Sequence, residues 1–201
     1  MNPELSLTEA RALMDRQTIG HLPVLDRNGE LVGIVTRQDL LKASPSAATS
    51  LDMYEINYLL SKLTVEKVMT KKVIVVQENE VVENAARVMA DHYIGCLPVM
   101  NGQLLAGIVT DTDIFRFFVD AFGARHDGVR ITISALEKPG QIAAFAGSIA
   151  EKGGNIVALV TAEGDDPTYR RMTLKIVGID LATVEAIVRA TAGLEIEDLR
   201  K

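Results

Sequence analysis

Gly33-Ile34-Val35-Thr36-Arg37-Gln38-Asp39 and Gly107-Ile108-Val109-Thr110-Asp111-Thr112-Asp113 are two copies of one phrase. In each, an apolar run ends on Thr and an Asp follows three residues later, 74 positions separating the copies. Upstream, Ile19-Gly20-His21-Leu22-Pro23-Val24 matches Ile94-Gly95-Cys96-Leu97-Pro98-Val99 at an offset of 75. The one-residue difference falls in the turns between the blocks, Asp26-Arg27-Asn28-Gly29 and Asn101-Gly102, where a change of length is tolerated. The chain therefore carries an internal repeat.

Each copy has a local grammar. Two short apolar runs flank an Asn-Gly turn, which predicts a hairpin. Before it, Leu7, Ala10, Leu13 and Met14 recur at helical spacing behind a Ser6/Thr8 cap region, and Val81, Ala85, Val88 and Met89 do the same in the second copy. After it, the segment of Asp39 or Asp113 opens a further helix. The second copy also has an apolar run, Lys72 to Val76, that predicts an additional first strand. Its counterpart in the first copy would fall before Met1, so the first repeat is expected to lack that strand.

Thr and Asp three apart at a helix start lie beside unpaired backbone N–H groups, and such ends favour anions. The Asp carboxylate can accept from both ribose hydroxyls of a nucleotide, and the Thr hydroxyl can donate to a phosphate oxygen. Gly20 and Gly95 permit close approach of a flat base. The competing reading is that both Thr/Asp pairs only cap their helices.

The doubled Ile-x-x-Leu-Pro-Val and Gly-Ile-Val-Thr-x-x-Asp pieces resemble the cystathionine-β-synthase (CBS) domain family over about residues 1–122. The resemblance implies a tandem pair, or Bateman module, built from repeat one (1–45) and repeat two (64–122), with two clefts for AMP, ATP or a related adenosine ligand. It implies further that each cleft joins the Thr/Asp junction of one repeat to the first strand of the other. One cleft would then use Thr36, Asp39, Gly20, His21 and Arg37 with Thr70, Ile74, Ile94 and Gly95. The other would use Thr110, Asp113 and Cys96, with its partner strand absent. The first is expected to bind more tightly, since Arg37 follows Thr36 where Asp111 follows Thr110, and His21 stands where repeat two has Cys96.

Beyond a linker at 123–128, residues 129–201 follow another pattern. Val129 to Ala135 alternates as a half-buried strand does. Glu137-Lys138-Pro139-Gly140 is a turn, and Ile142, Phe145, Ala146 and Ile149 then recur at helical spacing up to Gly153-Gly154. Strands over 155–162 and 171–177, a helix carrying Leu181, Val184, Ile187 and Val188, and a last strand over 194–199 complete a ferredoxin-like βαββαβ order. The fold class is thus α/β in the α+β sense. Lys138-Pro139-Gly140 and Gly153-Gly154-Asn155-Ile156 resemble the ACT domain family, although Glu137 stands where that family often has Asp. The resemblance implies an amino-acid site at Lys138, Pro139, Gly140, Asn155 and Ile156; the alternative is a domain that only dimerises. The order CBS-CBS-ACT, with the inter-repeat segment Thr49 to Leu63, resembles the acetoin-utilisation protein B group of bacteria.

Composition sets the remaining expectations. A net charge of −6 and a pI near 5.1 disfavour nucleic-acid binding, which needs clustered Lys and Arg. No apolar run is long enough for a membrane span, the N-terminus is not a signal peptide, and the lone Cys96 excludes an internal disulfide, so a cytoplasmic location is expected. His21, His92 and His126 have no metal-ligand spacing, Asp111 and Asp113 diverge from a helix start, and no nucleophile-base pair or Walker motif occurs. The expectation is a regulatory sensor without catalytic residues, cofactor or metal. It takes an adenosine nucleotide as regulatory ligand, forms a homodimer or higher even oligomer, and acts on a regulated protein. The Phe-rich run of Phe115, Phe117, Phe118, Val119 and Phe122 supplies apolar surface for association. The alternatives are a structural dimer without ligand and an enzyme whose active site forms between subunits.

Overall fold

The computed structural model describes residues 1–43 and 53–201. Residues 44–45 of the expected first repeat and 49–52 of the inter-repeat segment lie outside the described residues. The chain divides into two compact units, Met1–Ile114 and Phe115–Lys201.

The first unit opens with α1 (Leu7–Gln17). Ser6 starts it: its hydroxyl accepts from the Glu9 N–H at 3.2 Å, and the Glu9 carboxylate accepts from the Ser6 N–H at 2.9 Å. This reciprocal cap satisfies two otherwise unpaired donors. Leu7, Ala10 and Met14 are the buried stripe. The helix ends where Thr18 turns left-handed (φ 54°) and the Ile19 N–H reaches back to the Met14 carbonyl at 3.0 Å. β1 (His21–Leu25) and β2 (Leu31–Thr36) form the antiparallel hairpin, and α2 (Arg37–Ala43) follows at once. Beyond the gap come α3 (Met53–Lys62) and the short α4 (Val65–Val68).

The second repeat copies the first. α5 (Val82–His92) ends with Tyr93 left-handed at φ 54°, and the Ile94 N–H bonds the Met89 carbonyl at 3.0 Å. β3 (Val76–Gln77) lies before α5; after that helix come the hairpin strands β4 (Cys96–Asn101) and β5 (Leu104–Thr110), and then α6 (Asp111–Ala121). A left-handed non-glycine residue is uncommon. Its recurrence at Thr18 and Tyr93 shows the same turn out of the helix into each hairpin.

One expectation needs correction. The first strand of repeat two does not run from Lys72 to Val76: only Val76 and Gln77 pair, parallel to Val99 and Met100. The reason lies just upstream. Thr70 and Ile34 exchange two backbone hydrogen bonds, at 3.0 and 2.9 Å, so the chain pairs with repeat one before it reaches β4. Residues 71–75 connect the two pairings and cannot ladder with either. Gly33 makes the crossing possible, because a β-carbon there would stand 2.4 Å from the Met69 sulfur and 3.1 Å from the Thr70 carbonyl oxygen. At the equivalent Gly107 a β-carbon would meet nothing within 4 Å.

The second unit contains β6 (Val129–Leu136), α7 (Gln141–Glu151), β7 (Asn155–Glu163), β8 (Tyr169–Val177), α8 (Leu181–Ala190) and β9 (Leu194–Arg200). Its sheet order is β7-β8-β6-β9, the ferredoxin-like βαββαβ arrangement read from the sequence. Alternation places Ile131, Ile133, Met172, Leu174 and Ile176 on the helix-covered face, packed with Phe145, Ile149 and Val184. Residues of opposite parity make a polar face: Thr132 and Thr173 hydroxyls hydrogen-bond at 3.1 Å, and Arg130 donates to Asp198 at 2.6 Å.

Candidate functional site

The two Thr/Asp junctions fold alike. The Asp39 carboxylate accepts from the Thr36 N–H and hydroxyl, both at 2.8 Å, while the Asp39 N–H donates to the Thr36 hydroxyl at 3.2 Å. At Thr110 and Asp113 the corresponding distances are 3.0, 2.7 and 3.3 Å. Each pair is therefore a helix cap in its own right. The cap uses only Oδ2 of Asp39, and among the described residues Oδ1 has no hydrogen-bond partner.

What differs is the surroundings. Thr36 and Asp39 open onto a cleft of 490 Å³ within the first unit. It is walled by Gly20, His21, Ile34, Arg37 and Gln38 of repeat one and by Thr70, Lys72, Val73, Ile74, Tyr93, Ile94, Gly95 and Cys96 of repeat two. Ten of the residues singled out from the sequence thus meet in one place. Thr110 and Asp113 do not line it. Cys96, expected beside Asp113, lines the Asp39 cleft instead. Its strand partner is Thr110, but its side chain turns inward, with only 7% of the residue exposed.

Arg37 is at the cleft margin with its guanidinium turned away. It donates to Asp15 at 2.6 Å and to the carbonyls of Ile19 and Met14, both at 3.1 Å. It thereby closes the C-terminus of α1, where a cation is favoured by the helix dipole. Its counterpart Asp111 lies close to the cleft. A β-carbon on Gly95 would stand 3.1 Å from Asp111 Oδ2 and 3.7 Å from His21 Nε2. Burial first, and then the charges of Asp111 and Asp39, push the Cys96 thiol up to about 11. A thiol so held stays protonated and is a poor nucleophile at neutral pH.

Sequence reading missed Ile34, Gln38, Lys72, Val73 and Tyr93. Tyr93 looks like an ordinary helix end, yet its left-handed backbone leaves the residue 96% exposed at the cleft mouth. The apolar run predicts strand at Lys72 and Val73, where the structure has a crossing segment that lines the cleft.

In the second unit, Gly140 (φ +88°) precedes α7 with no side-chain cap, and the Lys138 N–H donates to the Leu136 carbonyl at 2.9 Å. Glu137 pairs with Arg170 beside this turn. Asn155 and Ile156 begin β7, at the other end of α7. An 11-residue helix spans roughly 16 Å, so one copy of the domain does not bring Lys138–Gly140 and Asn155–Ile156 together. Among the described residues no helix is long and apolar enough to cross a membrane.

Comparison with known proteins agrees with this architecture. The CBS domain family matches residues 1–46 and 65–120, and the TTHA0829-like ACT domain matches residues 127–200. An L-aspartate semialdehyde sulfurtransferase from Methanocaldococcus jannaschii is 35% identical over 115 residues; that is 57% of this chain but only 20% of the sulfurtransferase. A Vibrio cholerae protein assigned to acetoin utilization (AcuB) is similar in structure at 30% identity, with a TM-score of 0.50 over 62% of this chain and 85% of that one. The CBS pair of protein MJ0100, solved with 5′-methylthioadenosine and S-adenosyl-L-methionine, is 32% identical, covering 62% of this chain and 87% of that one at a TM-score of 0.49. With CBS matches over just over half its length, the chain belongs to the CBS-domain family, as a CBS pair followed by a TTHA0829-like ACT domain.

Proposed function

We propose that this chain is a regulatory sensor that takes an adenosine nucleotide, AMP or ATP, in the Asp39 cleft and an amino acid at its ACT domain. The observation that carries the reading is the convergence of both repeats on one 490 Å³ cleft. That volume lies within the range of about 300–1,000 Å³ usual for small-molecule sites. Ile34, Val73 and Ile74 offer an apolar wall for a purine, the open Oδ1 of Asp39 can accept from ribose hydroxyls, and His21, Thr70 and Lys72 offer donors for the 5′ end. A ligand held by both repeats favours the arrangement that closes on it, and a tenfold preference for that arrangement shifts the equilibrium by about 1.4 kcal/mol. The protonated, buried thiol of Cys96 favours binding over catalysis in this cleft.

At the ACT domain, the uncapped start of α7 leaves backbone N–H groups for a carboxylate, the group common to all amino acids. Because the two candidate segments lie apart in one copy, the amino-acid site is completed by a second copy. Phe115, Phe117 and Phe118, between 53% and 68% exposed on α6, supply apolar surface for a homodimer or higher even oligomer. The sensor acts in the cytoplasm on a regulated protein. A thermal-shift and calorimetric series with adenosine, AMP, ATP and amino acids tests the reading. Saturable binding without turnover is expected; no adenosine ligand bound at millimolar concentration would refute it.

A further inference from the structure

We propose that Asp111 sets which adenosine ligand the Asp39 cleft takes, favouring little negative charge at the 5′ end over a triphosphate. This rests on the adenosine reading of that cleft. Arg37 and Asp111 leave equivalent backbone positions: the Arg37 N–H donates to the Gly20 carbonyl and the Asp111 N–H to the Gly95 carbonyl, both at 2.9 Å. Their side chains then do opposite things. The guanidinium of Arg37 is turned away to Asp15 and two carbonyls at the end of α1. Asp111 uses Oδ1 to accept from the Thr112 N–H at 2.6 Å, and its Oδ2 stands against Gly95, with no hydrogen-bond donor among the described residues. His21 Nε2 approaches the same spot.

A ligand with its purine on Ile34 and Ile74 and its ribose on Asp39 directs its 5′ end to His21 and Gly95, and so to the Asp111 carboxylate. The charge of Asp111 acts in the cleft, since it helps hold the buried Cys96 thiol protonated. The Asp111 carboxylate, behind Gly95 of the cleft wall, thus adds its negative charge at the 5′ end to that of Asp39 at the ribose, while Lys72 is a lining cation not tied to α1. Each phosphate added to the ligand deepens the repulsion.

The test is calorimetry of the full chain with adenosine, AMP, ADP and ATP in magnesium-free buffer containing a chelator, so that no cation bridges Asp111 to phosphate. The parent binds AMP more tightly than ATP. Asp111→Asn, which keeps the oxygen that the Thr112 N–H needs, narrows the AMP-to-ATP ratio about tenfold, the effect of one nearby screened charge. Asp111→Lys favours ATP. Raising ionic strength narrows the ratio in the parent more than in Asp111→Asn. Parent affinity for ATP equal to or above that for AMP, or an unchanged ratio in a folded Asp111→Asn protein, overturns the role of Asp111 while leaving the nucleotide site standing. Absence of binding by all four ligands overturns the nucleotide reading itself, and this inference with it.

Discussion

Replacing Asp39 by Ala and, separately, Asp113 by Ala separates a binding role from a capping role. Both carboxylates cap a helix with nearly the same hydrogen bonds, 2.8 and 2.8 Å against 3.0 and 2.7 Å. Loss of such a cap costs about 1 kcal/mol, so both variants are expected to melt a few degrees lower, by similar amounts. Only Asp39 lines the cleft. Hydrogen bonds from ribose hydroxyls to its charged carboxylate are worth roughly 1.5–3 kcal/mol, so Asp39→Ala weakens AMP binding by about ten- to hundredfold, and Asp113→Ala changes it little.

Titration calorimetry well below both melting temperatures reads the difference, because neither protein is then appreciably unfolded. A double-mutant cycle sharpens it. Against 2′,3′-dideoxy-AMP, Asp39→Ala loses little more, since both hydroxyls that it would have accepted from are already gone. The reasoning fails if Asp113→Ala harms binding as much as Asp39→Ala, or if the effects of the side chain and of the hydroxyls simply add.

Gly33→Ala forces a β-carbon into Met69 and the Thr70 carbonyl and lowers stability by about 1–3 kcal/mol, whereas Gly107→Ala, facing open space, is tolerated; thermal denaturation of the pair checks this. Phe145→Ala, at 1% exposure in the core of the second unit, costs about 3–5 kcal/mol in a denaturant titration. Cys96 labels slowly with a thiol reagent at pH 8 unless the protein is unfolded. Because its folded pKa of about 11 exceeds the ordinary 9.0, the folded state holds the proton longer, and the stability contributed by the neutral thiol declines as pH rises from about 9 to about 11. A Cys96→Ser comparison isolates that loss in urea titrations across the window. Light scattering at micromolar concentration gives the mass of a dimer or higher even oligomer, and Phe117→Glu reduces it.

The repeat made the fold legible, because local rules act identically in both copies. The Ser6 cap region, the hairpin turns and the Thr/Asp helix starts are set by residues a few positions apart, and sequence spacing reports them directly, whereas the left-handed Thr18 and Tyr93 carry no such mark. The βαββαβ unit was legible for the same reason: alternation in β6 and β8 and the helical stripe of α7 each record one buried face. The cleft was legible in its members, and an asymmetry between the two junctions is expected from the absent partner strand and from Arg37 and His21 against Asp111 and Cys96; the packing behind that asymmetry was not legible. The motif predicts Arg37 beside the ligand and Cys96 beside Asp113. Long-range packing decided otherwise. Asp15 and the end of α1 took Arg37, and Thr70 paired with Ile34 from 36 positions away, drawing Lys72, Val73 and Ile74 over repeat one. No period in the sequence marks such a crossing; what does mark it is Gly33, whose missing β-carbon leaves room for Met69 where Gly107 faces nothing. The motif therefore specifies a capped helix start twice, and the neighbour admitted by one glycine turns one of the two into a wall of the cleft.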